Sequence, residues 1–143
     1  MRVIEDFLGW NNIADAFLIG AGNLGSALFG YNGFKEYGLI IIAAFDADES
    51  KVGTEIAGKV IFHINKLPEM IRRMSIKIGV ITTPPASAQE VADIMVDAGV
   101  MAIWNFSHTK INVRPGIIVQ HENLASSLVV LSKKLSMAIQ AAA

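Results

Sequence analysis

The chain predicts an α/β fold, a doubly wound and mostly parallel sheet, from three observations. Its apolar residues gather in near-continuous runs, Phe17-Leu18-Ile19, Leu39 to Phe45 and Ile78 to Ile81, as expected of strands buried on both faces. Strand-like and helix-like segments alternate along its length, the order that builds a parallel sheet with crossover helices. The first run leads straight into Gly20-Ala21-Gly22-Asn23-Leu24-Gly25, a G-x-G-x-x-G pattern, and Asp46 closes the second run about 20 residues further on, the spacing of a dinucleotide-binding unit.

The elements follow in order. Val3, Ile4, Phe7 and Leu8 repeat at helical spacing up to Gly9, so residues 1–12 read as a lead-in helix and linker. The first strand is expected over 14–19 and the first helix over 23–31. Asn32-Gly33 and Gly38 punctuate the turn into the second strand, 39–45. A short third strand covers 59–62, after which Asn65 is positioned to cap a helix carrying Leu67, Met70 and Ile71. The fourth strand spans 77–81, a helix runs over 86–98 to Gly99, and 100–104 and 116–119 supply strands five and six. Residues 13–122 thus make one sheet domain, and 123–143 a closing helix. On that helix Leu124, Leu128, Leu131, Leu135 and Ala138 or Ile139 form one seam at alternating spacings of four and three. Docking on the chain's own sheet and packing on a partner subunit both fit such a seam.

Composition narrows the function classes. The chain is 52% hydrophobic with a mean hydropathy of +0.45, yet no apolar run approaches the roughly 20 residues of a membrane span, so no membrane partner is expected. It has no cysteine, which excludes a disulfide framework, a thiol nucleophile and a thiolate metal site. Met1 opens no basic-apolar-small signal pattern, and a cytoplasmic location is expected. With a net charge of −1, and Arg72, Arg73, Lys77, Lys133 and Lys134 as its basic groupings, the chain lacks the concentrated basic face of a nucleic-acid-binding domain.

The candidate site is a cofactor site. Gly20 permits the tight turn off the strand, Gly22 lets backbone approach a diphosphate, and Gly25 lets the next helix sit close to the sheet. Ala21, Asn23 and Leu24 complete the loop, and the helix opening near Asn23 turns free N–H groups toward the diphosphate. Asp46 is positioned to accept the hydroxyls of the adenosine ribose and to repel a 2′-phosphate, which favours NAD(H) over NADP(H); Lys51 is near enough to soften that repulsion. Thr82-Thr83-Pro84-Pro85 and Asn105-Phe106-Ser107-His108 follow strands four and five at the same sheet edge, where ligands enter open α/β sheets. His63, His108 and His121 lie scattered, with no carboxylate at relay or metal spacing, so neither a catalytic residue nor a metal site is expected. The residues point to a non-catalytic NAD(H)-binding domain first and to an NAD-dependent oxidoreductase fragment second.

Gly20 to Leu28, Tyr31-Asn32-Gly33-Phe34, Ala44-Phe45-Asp46, Val52-Gly53, Gly58, Thr83-Pro84, Ala88 to Asp93, Ala98-Gly99, Trp104-Asn105-Phe106 and the closing leucine helix together resemble the Rex redox-sensing transcriptional repressors, over about residues 4–139. The resemblance implies a Rossmann domain that senses the NADH/NAD⁺ ratio as a homodimer. It implies too that the C-terminal helix is exchanged between subunits and that NADH shifts the dimer to a form that releases operator DNA. Tyr31 matches the family's tyrosine on the first helix, facing the nicotinamide region. In that family an N-terminal winged-helix domain reads the DNA, and residues 1–9 resemble the linker that follows it; operator DNA is therefore a partner only when such a domain is joined. Two departures stand out. The family's Asn-Phe-x-Pro pattern is here Asn105-Phe106-Ser107-His108, and Asn123 occupies the position of a usual aspartate. Because Rex sensing domains resemble the CoA-binding domains of acyl-CoA synthetases, a CoA- or nucleotide-binding module is the third reading.

Overall fold

Ala16, Phe17, Leu18 and Ile19 have no accessible surface, and the strand that carries them, β1 (Ala14–Ile19), lies inside the sheet. The computed structural model describes residues 14–29, 34, 38–122 and 124–142; the lead-in helix expected over 1–12, Tyr31 and Asn123 lie outside the described residues. After β1 come α1 (Asn23–Phe29), β2 (Leu39–Asp46), β3 (Glu55–Ile56), β4 (Lys59–His63), α2 (Leu67–Met74), β5 (Ile78–Ile81), α3 (Pro85–Ala98), β6 (Ala102–Asn105), β7 (Ile118–His121) and α4 (Leu124–Ala142). The sheet order is β3-β4-β2-β1-β5-β6-β7. Every pairing is parallel except β3 with β4. The chain winds outward from β1 through β2 and β4, then returns to the other side of β1 for β5, β6 and β7, so the fold is the doubly wound one the sequence predicts.

Two helices cover one face. Beneath α2 and α3, Phe17, Ile19, Phe45, Leu67, Ile71, Val91 and Met95 form the larger core, with Phe17 and Phe45 ring centroids 4.9 Å apart. Burying each such side chain contributes about 1.5–3 kcal/mol. The opposite face packs Leu18, Ala44, Val80 and Phe106 with Phe29 of α1.

β6 and β7 each begin two residues later than expected, at Ala102 and Ile118, and local chemistry overturns two further expectations. Asn65 does not cap α2: the cap position is Lys66, with no side-chain bond, and a proline in the first turn starts the helix. Asn65 sits in a 3₁₀ turn, Ile64–Lys66, and donates its N–H to His63 Nδ1 at 3.0 Å. The β3–β4 hairpin was not expected either. Ala57 and Gly58, both at positive φ (52° and 80°), make the two-residue turn that right-twisted hairpins prefer.

The long connection from β6 to β7 is stapled to α3. Gln89 Oε1 accepts the Asn112 N–H, and its Nε2 donates to the Asn112 carbonyl, both at 2.8 Å. Arg114 Nη2 donates to the Val96 carbonyl at 3.0 Å. By contrast α4 is exposed throughout 131–142, with Leu131 63%, Leu135 60%, Met137 64% and Ile139 61% accessible. Docking on the chain's own sheet is therefore not adopted over these residues. Among the described residues no helix is long and apolar enough to cross a membrane.

Candidate nucleotide-binding cleft

The winding reverses between β1 and β5, and a crevice opens where the carboxyl ends of their strands diverge. Its floor explains two of the three fingerprint glycines by internal packing alone. Gly20 has φ of +105°, and a Cβ there would press on the Thr82 carbonyl carbon and oxygen at 2.8 Å. A Cβ on Gly25 would overlap the Gly20 carbonyl and lie 2.7 Å from Thr82 Oγ1, the hydroxyl that donates to that carbonyl at 2.6 Å. Gly22 differs: a Cβ there would meet nothing within 4 Å, and the residue lines the open cleft. Nothing in the protein's own packing requires glycine at that position.

Asp46 closes one side. Its Oδ2 accepts the Ala21 N–H and its Oδ1 the Asp48 N–H, each at 2.8 Å. The carboxylate is thereby fixed against the glycine loop, and each oxygen keeps a further lone pair for a ligand hydroxyl. Asp48 in turn accepts from the Ser50 hydroxyl at 2.7 Å and the Ser50 N–H at 3.0 Å. These bonds, with Lys51 nearby, hold its carboxyl below the usual aspartate value.

The cleft has a volume of about 680 Å³. From β1 and its loop come Ile19, Gly20, Gly22 and Leu24; from the end of β2, Asp46, Ala47, Asp48 and Lys51; from beyond β4, Ile64. The β5–α3 junction supplies Thr82, Thr83, Pro84, Pro85, Ser87 and Val91, and the segment after β6 supplies Phe106, Ser107 and His108. Among the expected residues, Gly20, Gly22, Leu24, Asp46, Lys51, Thr82, Thr83, Pro84 and Phe106 come together here. Ala21, Asn23, Gly25 and Asn105 do not line it. Ala21 and Gly25 are buried beneath the loop, and Asn23 is exposed at the start of α1. Asn105 is fully buried. Its Oδ1 accepts the Ser107 N–H (2.9 Å) and hydroxyl (2.6 Å), and its Nδ2 donates to the Thr109 carbonyl at 2.8 Å, so it shapes the 105–109 turn from below. The Thr83 hydroxyl oxygen is buried without a partner among the described residues. No group of three His, Cys, Asp or Glu among them could hold a metal ion.

Ser107 and His108 line the cleft at the edge where the sequence puts them, whereas Ile64, Ala47, Asp48, Ser87 and Val91 are lining residues that sequence reasoning does not single out. Ile64 directly follows β4, and the rule that selects Thr82 to Pro85 selects it too when applied to the third expected strand.

Sheet order, cleft and glycine loop define the class, a Rossmann-type α/β domain. Residues 11–109 match the model of the CoA binding domain family. The chain is 48% identical over 131 residues to the redox-sensing transcriptional repressor Rex of Treponema denticola, covering 92% of this chain and 62% of that protein. It superposes on the Rex-family repressor RSP in complex with beta-NADH with a TM-score of 0.84 and 30% identity, covering 97% of this chain and 68% of that one. The match to RSP in complex with beta-NAD⁺ and operator DNA has a TM-score of 0.83 and 30% identity, covering 97% and 64%. The chain belongs to the CoA binding domain family and, within it, groups with the Rex repressors.

Proposed function

We propose that this domain binds NAD(H) in the cleft and serves, within a Rex-type repressor, as the part that senses the NADH/NAD⁺ ratio and passes it to operator DNA through a dimer. The observation that carries the nucleotide half is Gly22, an open backbone position in a cleft whose other glycines are demanded by packing. A diphosphate lying on that backbone puts the adenosine ribose at Asp46 and the nicotinamide half toward Thr82, Thr83, Pro84, Phe106 and His108. Tyr31 and Asn123 belong to this reading through the family resemblance. Support for regulation comes from the relatives, which are named as repressors, and from RSP, which has been crystallised with both redox forms of the nucleotide.

The dimer half rests on α4, whose Leu131, Leu135 and Ile139 stand exposed on a helix seam and gain by burial against a second copy. In this reading residues 13–122 bind the nucleotide, 123–143 dimerise, 1–12 lead in from a DNA-reading domain, and the protein is cytoplasmic and non-catalytic. Differential affinity for the two redox forms is then the whole mechanism.

CoA is the competing ligand. Its adenosine ribose carries a 3′-phosphate, which at Asp46 would meet two carboxylates, Asp46 and Asp48, against one ammonium, Lys51. Competitive titration tests the choice: NADH should bind and be displaced poorly by CoA and by NADPH. Tighter binding of CoA would overturn the NAD(H) assignment, and hydride transfer to a substrate would move it to the oxidoreductase class.

A further inference from the structure

Phe106 is 8% accessible and lines the cleft. Behind it stands Trp104, ring centroids 4.7 Å apart and tilted by 50°, with Phe34 edge-on to the same indole at 5.4 Å. Trp104 is half-buried on β6, and its indole N–H donates to Glu122 Oε1 at 3.1 Å. Glu122 also donates its backbone N–H to the Asn105 carbonyl at 2.9 Å. It stands two residues before Leu124, where α4 begins. A continuous set of contacts thus runs from the wall of the cleft to the root of the exposed helix.

We propose that Trp104 couples occupancy of the cleft to the direction in which α4 leaves the sheet, with the Trp104–Glu122 hydrogen bond as the transmitting contact. This inference rests on the nucleotide reading above. A ligand ring settling against Phe106 displaces that side chain, and the packed indole follows because a close-packed aromatic cluster has no slack to absorb the shift. The indole N–H has one direction of donation. Its movement therefore either carries the Glu122 carboxylate along or breaks the bond, and both change the placement of Glu122, two residues before α4 begins. Phe106 and Asn105 are neighbours on the chain, so the Glu122 backbone bond to Asn105 moves with the same wall and reinforces the side-chain tie.

The test is amide hydrogen exchange across α4, apo and NADH-saturated, with NADH affinity measured by calorimetry on the same samples. The variants are Trp104→Phe, which keeps an aromatic ring and removes the N–H; Glu122→Ala, which removes the acceptor; and Glu122→Gln, which keeps an acceptor oxygen. In the wild-type chain NADH should change exchange in the first turns of α4 by about tenfold, a middling value for coupling between two sites. Trp104→Phe and Glu122→Ala should each reduce that change below about twofold, with the double variant no further reduced, while all three still bind NADH and Glu122→Gln retains the response. A full α4 response in Trp104→Phe, or a wild-type chain that binds NADH with no change in α4, overturns the relay alone. A wild-type chain that binds no nucleotide in the calorimeter overturns the nucleotide reading and the relay with it.

Discussion

Gly22 and Gly25 look interchangeable in the fingerprint, but replacing each by alanine should have opposite consequences. In Gly25→Ala the new methyl runs into the Gly20 carbonyl, which is backbone, and crowds Thr82 Oγ1 at 2.7 Å. Forced overpacking of this kind costs about 1–3 kcal/mol, and at about 4 °C per kcal/mol for a domain of this size melting should fall by roughly 4–12 °C. In Gly22→Ala the methyl meets nothing within 4 Å and the backbone is not at positive φ, so folding should be unaffected or favoured by about 0.4–1 kcal/mol through the unfolded chain. Nucleotide binding should nevertheless fail at Gly22→Ala, because the methyl stands where the diphosphate approaches the backbone. Losing one hydrogen bond to a charged group costs about 1.5–3 kcal/mol, roughly 10- to 150-fold in Kd. Thermal melts and calorimetric NADH titrations on both variants separate the two effects. NADH affinity in Gly22→Ala within twofold of wild type would refute the reasoning, as would a loss of stability equal to that of Gly25→Ala.

Four further outcomes are expected. Asp46→Ala should weaken NADH binding by about 1–3 kcal/mol, since the ribose loses its acceptor and the Ala21 N–H its tether; an unchanged affinity in calorimetry would count against the assignment. Gln89→Ala removes both bonds to Asn112 and should cost about 1–2 kcal/mol in urea unfolding, whereas a change under about 0.5 kcal/mol would mean that the staple contributes nothing. The Asp48 carboxyl, lowered chiefly by the Ser50 hydroxyl, should titrate below an ordinary aspartate in carboxyl-detected NMR and move upward in Ser50→Ala. Because its folded value is depressed, its contribution to the 46–52 turn is present above the ordinary aspartate value and lost as pH falls through the lowered one. Leu131→Asp with Leu135→Asp should give monomers in sedimentation, and retained dimer mass would remove α4 from the interface.

What could be read from the sequence was what neighbours along the chain decide. The apolar runs, the glycine loop and Asp46 are local patterns, and each is where the sequence reading puts it because burial on both faces and a tight strand-to-helix turn leave few residue choices. Spacing alone makes Asn105 a contact residue, because it ends a strand at the right edge. Its actual partners, Ser107 and Thr109, turn its side chain under the loop, and no pattern of spacing distinguishes a polar residue that supports a site from one that faces it. The Asn65 cap fails for a similar reason: Asn65 lies inside the 3₁₀ turn that His63 caps, one residue short of the helix's own cap position at Lys66, and Pro68 stands in the first turn of the helix that Leu67 begins. The two-residue strand β3 is too short to carry any periodicity, and only Ala57-Gly58 signalled it. Periodicity showed the α4 seam but could not tell an internal surface from an external one. Exposure of Leu131 and Leu135 carries that information.

Parallel calorimetric titrations of the chain with NADH and with NAD⁺, with its mass followed by sedimentation in the same buffer, test the sensing role. A dimer that binds both forms in the cleft and holds NADH more tightly is the predicted result. Equal affinity for the two forms, or binding of neither, would contradict it.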